Sequence, residues 1–223
     1  NFSFKFFNKI TIEVLIHGNW RAEHAQAISQ TIKTTFFDRY SAKNAIKYPM
    51  LDIRQQGELI FPMTLADHDH ACVIYYPQAD KSLATIAHTM ITNHLLSPLF
   101  FQEMRTEKQY GYLVGVGYIP INRYPGIAFY IQSPHTEATT LITAIDDFIN
   151  NCLNKLDNMT KKEWQQLQQG LAGQLSEKDS SLRIKSQRFW SDICNNEAKF
   201  NLKEQLVNVI LTVTLDEIKF FIS

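Results

Sequence analysis

Arg105-Thr106-Glu107-Lys108-Gln109-Tyr110-Gly111-Tyr112 is the stretch on which the reading of this chain turns. Before it, apolar residues recur at helical spacing; after it, they alternate as in a half-buried strand. A cation and a phenol seven positions apart, joined across such a junction, can converge on one peptide carbonyl. Both are donors at neutral pH, the guanidinium as a planar fork and the phenol as a single O–H. The residue types alone favour a local role: an Arg ending a helix complements its dipole, and a strand Tyr packs.

Working outward from this junction, Leu83, Ile86, Ala87, Met90 and Ile91 mark a helix over 81–94. Ser97-Pro98 then restarts a short helix, since Pro suits a first helical position. That helix carries Leu99, Phe100 and Met104 and ends near Arg105. Downstream, 111–119 and 126–133 read as strands, joined through Pro120, Asn122 and Pro125. Upstream, the pattern predicts a strand over 9–17, a helix over 21–40, and strands over 57–63 and 71–76. The rest is helical: 136–156 is amphipathic, Thr160/Glu163 and Thr214/Glu217 have capping-box form, and Asn201/Glu204 is a weaker relative. The order β-α-β-β-α-α-β-β, followed by helices, predicts an α+β fold with a mostly antiparallel sheet and helices on one face.

The 223 residues are 45% hydrophobic, enough to bury a substantial core. Lys plus Arg and Asp plus Glu balance at 22 each. This gives no basic excess for nucleic acid or an anionic membrane, and no apolar run reaches the ~18 residues of a span. Neither partner is expected. The first residue is Asn1 and no signal-peptide pattern follows it, so the chain reads as a fragment: a single α+β domain over 1–223, truncated at both ends. Cys72, Cys152 and Cys194 are odd in number and far apart. That argues against a disulfide framework, and Cys152 and Cys194 lie in apolar patterns that predict buried thiols.

Neither His-x-x-Glu-His nor His-Glu-x-x-His occurs, so the helix-borne imidazole pair with its adjacent carboxylate is missing. Asp67-His68-Asp69-His70 is the one metal-like cluster. His68 and His70 share a face at strand spacing, but no third ligand sits at a fixed offset, and a solvated turn is the favoured reading. Gly115 and Gly117 alternate with Val114 and Val116, which marks a strand face approached closely by another backbone rather than a nucleotide loop. His17, His88 and His94 are read as structural.

The junction resembles the R-T-x-x-Q-x-G-Y element of the pitrilysin/insulin-degrading-enzyme (inverzincin) zinc peptidases. The resemblance extends to His17-Gly18-Asn19, to Ser97-Pro98-Leu99-Phe100, to Phe129-Tyr130-Ile131-Gln132-Ser133, to Phe189-Trp190 and to Asp216-Glu217-Ile218, in order. Tyr110 stands where the family usually has a smaller aliphatic residue, and the family's closing strand after the last helix is missing. Such enzymes are similar in having four α+β domains in two halves around a chamber, the N-terminal half carrying zinc. The resemblance implies that this chain is the fourth, C-terminal domain, inactive alone, with the N-terminal catalytic half and peptide substrates as partners. No zinc is expected in this chain, and the setting implied is periplasmic. It also implies that Arg105 and Tyr112 contact the substrate backbone near the scissile bond, where such donors stabilise developing oxyanion charge. Two other classes stay open: a non-catalytic scaffold or partner subunit of the same superfamily, and a peptide-binding domain sharing the fold.

Overall fold

The computed structural model describes residues 12–37, 57–64, 69–194 and 200–223. Packing divides the chain into two compact units, Asn1–Leu51 with Lys178–Phe200, and Asp52–Glu177 with Asn201–Ser223.

The first unit contributes α1 (Ala22–Ile32), which continues into a π-helical turn at Lys33–Phe37. It also holds a helix at Leu182–Cys194, labelled α5 below. The strand expected over 9–17 is not seen: residues 12–17 form no strand, and 9–11 lie outside the described residues. His17 is half-buried there, its Nδ1 2.7 Å from the Ser186 hydroxyl and its ring 5.0 Å from that of Phe189. The partner is a side chain of α5. Cys194 is exposed, contrary to the apolar pattern that predicted its burial. It is the last residue of α5, where the helical stripe runs out.

The second unit holds a three-stranded antiparallel sheet, β1 (His70–Pro77), β2 (Leu113–Tyr118) and β3 (Gly126–Ser133), in the order β1-β3-β2. The register aligns Cys72, Ile131 and Val114 in one row and Ile74, Phe129 and Val116 in the next. Because side chains alternate across a strand, both rows face the same side. Against that side pack α2 (Leu83–Phe101), which meets β2 and β3, and α3 (Ala138–Leu156), which meets β1. Phe100, Phe129 and Phe148 form the centre, all essentially buried, with ring centroids 5.1 Å, 5.3 Å and 6.3 Å apart. The two edge-to-face pairs, Phe100 with Phe129 and Phe100 with Phe148, each add about 0.5–1.5 kcal/mol beyond their burial. Cys72 and Cys152 lie buried in this core, and burial pushes the Cys72 thiol up to about 11. Both are poor nucleophiles for that reason.

Behind α2 pack α4 (Lys161–Ser176), α6 (Leu202–Ile210) and α7 (Leu215–Ile222). The capping boxes at Thr160/Glu163 and Thr214/Glu217 both form, each hydroxyl accepting from the Glu backbone N–H while the carboxylate accepts from the Thr N–H. Asn201 makes no side-chain cap. Gln168 is buried and its amide donates to the Ile210 and Val213 carbonyls at 2.6 and 2.8 Å; Trp164 Nε1 also donates to Val213, at 3.3 Å. These bonds satisfy the carbonyls left over where α6 ends.

Two further expectations are corrected. Residues 57–64 form no strand. Leu59, Ile60 and Phe61 are consecutive rather than alternating, Pro62 has no N–H for a ladder, and Phe61 is 79% exposed. Ser97-Pro98 does not begin a new helix: α2 runs unbroken through Pro98 to Phe101. Pro98 itself is exposed, and its ring leaves the carbonyl four residues back without its helical donor. The α+β class with an antiparallel sheet and helices on one face stands.

Candidate functional site

The end of α2 is held by its buried face. Phe100 and Met104 are fully buried, so the helix cannot turn about its axis, and Phe101 and Arg105 are fixed on its open side. The turns after Phe101 widen to a π-helical stretch, Gln102–Glu107. One extra residue per turn swings Arg105 from where a regular helix would place it, a device common at functional sites. The stretch closes with Lys108 N–H donating to the Glu103 carbonyl at 2.9 Å and Tyr110 N–H to that of Met104 at 3.0 Å. Gln109 sits between them with φ +50°, the left-handed residue that terminates a helix in such a wrap.

The chain then runs so close to β3 that residue 111 must be glycine. A Cβ there would overlap the Gln132 carbonyl oxygen and stand 2.9 Å from its carbon and 3.2 Å from Ser133 Cα. Gln132 is paired on both sides, with Ala71 of β1 and Leu113 of β2, so its carbonyl is not free to retreat.

Arg105 and Tyr112 are brought together. Arg105 Nη1 donates to the Gly111 carbonyl at 3.1 Å and also to the Tyr112 carbonyl. The guanidinium carbon lies 4.3 Å from the Tyr112 ring centroid and 5.8 Å from that of Phe101, so the cation is flanked by two aromatic rings. Tyr112 itself is 87% exposed. What this arrangement offers chemically is a phenolic O–H held out in solvent over a fixed positive charge.

The π-helical turn is tied down by Glu103, whose carboxylate pairs with Lys108 at 3.0 Å and with Lys155 of α3. Burial raises the pKa of Glu103, but the hydrogen bonds and charges of Lys155 and Lys108 outweigh it and leave the carboxyl below its ordinary value. A depressed folded pKa stabilises the fold above the unfolded value, 4.5, and that contribution is lost as pH falls through the folded one. Glu103→Gln is therefore expected to be less stable than the unaltered protein at neutral pH, with the gap in urea midpoint closing below pH 4.5. A gap independent of pH would show that the ion cluster does not anchor the turn.

Sequence reasoning missed Phe101, Glu103 and Lys155. Phe101 had a signal, since it lies four positions before Arg105 and such pairs share a helix face. The Glu103–Lys155 pair, 52 residues apart, had none. The glycine reading is corrected in part: a side chain at Gly115 would strike the Tyr130 ring, 2.7 Å away at Cζ, rather than another backbone. The tight backbone approach belongs instead to Gly111. An open groove of about 640 Å³ lies beside Phe101, lined by His94, Ser97, Pro98 and Leu167. Burial lowers the His94 pKa, which fits a structural, neutral imidazole. The His88 ring lies tilted against that of Phe221 of α7, with centroids 5.4 Å apart.

Of the weak metal candidates, His68 lies outside the described residues, and His70 is exposed at the head of β1. Asp69 accepts a hydrogen bond from the Gln132 amide at 2.8 Å. Among the described residues no three His, Cys, Asp or Glu side chains are placed to hold a metal ion, so their donor set does not fit a zinc centre. Among the described helices none is long and apolar enough to cross a membrane.

A family model described as "PQQ synthase PqqF-like, C-terminal lobe domain 4" matches residues 91–190, which include the whole junction. Insulin-degrading enzyme of Homo sapiens is 24% identical over 96% of this chain and 22% of its own length. A putative zinc protease of Schizosaccharomyces pombe is 22% identical over 95% of this chain and 22% of its own length. The crystal structure of pitrilysin superposes with a TM-score of 0.81 at 21% identity, covering 92% of this chain and 22% of pitrilysin. The chain thus spans about 22% of the length of these relatives. The order of the matched elements, the superposition and the lobe-domain model agree: the chain is similar to a C-terminal domain of the pitrilysin and insulin-degrading-enzyme family.

Proposed function

We propose that this chain is the substrate-binding, non-zinc-binding domain of a zinc-dependent metalloendopeptidase that hydrolyses peptides. In this reading the Arg105/Tyr112 element meets the substrate backbone near the scissile bond. One observation carries it: Tyr112, 87% exposed, holds a donor in solvent beside the guanidinium of Arg105, 4.3 Å from its ring. A fixed O–H aimed at a carbonyl oxygen gains strength as that oxygen becomes an oxyanion, and so favours the transition state over the bound peptide. Recognition through backbone atoms also suits a loose sequence preference.

The metal chemistry belongs, in this reading, to the N-terminal half of the same polypeptide, which is the domain's partner. A periplasmic setting is part of the proposal and rests on resemblance to bacterial members. The domain is assigned to 1–223 as one functional piece.

The test is cleavage of an internally quenched peptide by the full polypeptide carrying this chain. Turnover is expected, with loss on zinc chelation and recovery on adding zinc back, while this chain alone cleaves nothing. Saturable peptide binding without cleavage by the full polypeptide would overturn the peptidase reading in favour of a scaffold or binding subunit.

A further inference from the structure

A cavity of about 240 Å³ lies between α2, β2 and α4, further back along α2 than the groove beside Phe101. Met90, Leu171 and Leu175 supply its apolar lining, while Asn93, Gln174 and Tyr118 bring two amides and a phenol. His94 completes it, with an imidazole that burial keeps neutral. Among the residues that line it there is no carboxylate, lysine or arginine. Asn93 stands twelve residues before Arg105, on the order of 18 Å at the rise of a helix, so the cavity is separate from the junction.

Asn93 is where this cavity departs from the rest of the core. Its side-chain oxygen is buried and accepts no hydrogen bond from any described residue. Elsewhere the fold satisfies such groups. Thr89 donates to the Thr85 carbonyl at 2.7 Å, and the Gln168 amide donates to the carbonyls of Ile210 and Val213. Thr92 Oγ1 is also bare, but a helix hydroxyl can turn onto the carbonyl one turn back. An amide oxygen has no such option, because it needs a donor and mid-helix N–H groups are already engaged. The neighbouring His94 carbonyl adds to the deficit, since Pro98, four residues on, has no N–H to give it. A buried acceptor left bare costs the fold stability, and a ligand that brings the donor removes that cost.

We propose that this cavity binds an uncharged molecule of one or two rings, with an apolar body and a lactam-like edge. The N–H of that edge donates to Asn93 Oδ1, and its carbonyl accepts from the NH2 of the same carboxamide. This is the two-point pairing an Asn side chain makes with an adjacent donor and acceptor. The apolar body lies against Leu171 and Leu175. A charged ligand is disfavoured, because no lining ion would offset its desolvation. The volume, about 240 Å³, falls below the roughly 300–1,000 Å³ of drug-sized sites and sets the limit on ring number. The site stands independently of the peptidase reading.

The probe is carbostyril, a two-ring lactam, and the control is N-methylcarbostyril, which keeps the body and loses the N–H. Each is titrated by saturation-transfer NMR into the full polypeptide that carries this chain. Carbostyril is expected to bind with a Kd of about 1 mM or tighter, and the control about tenfold or more weakly. Asn93→Leu keeps the size of the side chain and removes its polar atoms, so carbostyril should lose about tenfold in affinity and the two compounds should bind alike. Gln174→Trp adds bulk at an exposed lining position, should weaken both compounds, and decides the matter if Asn93→Leu does not fold. Equal affinity of both compounds for the unaltered protein would overturn the proposal, as would unchanged carbostyril affinity in both variants. So would the absence of any binding, which would leave the cavity to water.

Discussion

Tyr112→Phe in the full polypeptide is expected to lower kcat/KM by one to three orders of magnitude, the range associated with losing a donor to developing negative charge. The substitution removes one oxygen and keeps the ring. The stack on the Arg105 guanidinium, 4.3 Å from the ring centroid, therefore survives, and so do the two carbonyl bonds that Nη1 makes to the turn. At 87% exposure the hydroxyl contributes nothing to packing, so the thermal midpoint should be unchanged. Steady-state kinetics beside a melting curve checks both halves of this expectation. Unaltered turnover would remove Tyr112 from the substrate site, and a lowered midpoint would mean that the oxygen has a structural partner.

Gly111→Ala should be the most damaging single change to the fold around the site, by about 3 kcal/mol, at the upper end for overpacking. The new methyl would overlap the Gln132 carbonyl oxygen and press on Ser133 Cα at 3.2 Å. A clash with a flexible side chain can be relieved by a rotamer change, but here the obstacle is backbone. Gln132 belongs to the central strand β3 and is paired with β1 and β2 at once, so relief requires breaking ladder bonds or moving the turn. Moving the turn displaces the carbonyls that Arg105 grips. The variant should lose activity together with stability, which urea unfolding and turnover on the same preparation would show. Retention of the unaltered urea midpoint would mean that the approach of residue 111 to β3 is looser than the geometry indicates.

The route from sequence to this site was legible wherever the information was local. Periodicity alone placed β3 at its observed bounds and put Phe100 and Met104, both buried, in the helical run that ends near Arg105. Capping chemistry at Thr160 and Thr214 needs partners three residues away, and both boxes formed. The pairing of Arg105 with Tyr112 across a helix–strand junction was also readable, because seven residues of turn set their separation.

What the sequence by itself determined, then, was the period of each strong element, its caps, the α+β class and the neighbourhood of the site. Tertiary structure decided the rest. It carried α2 through Pro98, because the helix's buried face outweighs one lost hydrogen bond. It inserted a π-helical turn held by Lys155 from a helix 52 residues away. It made Gly111 indispensable through β3, and it turned both Nη1 hydrogens of Arg105 inward while leaving Tyr112 in solvent. The reason is physical. Spacing along the chain fixes which residues share a face, whereas the partner that a group meets depends on register and packing between segments far apart in sequence.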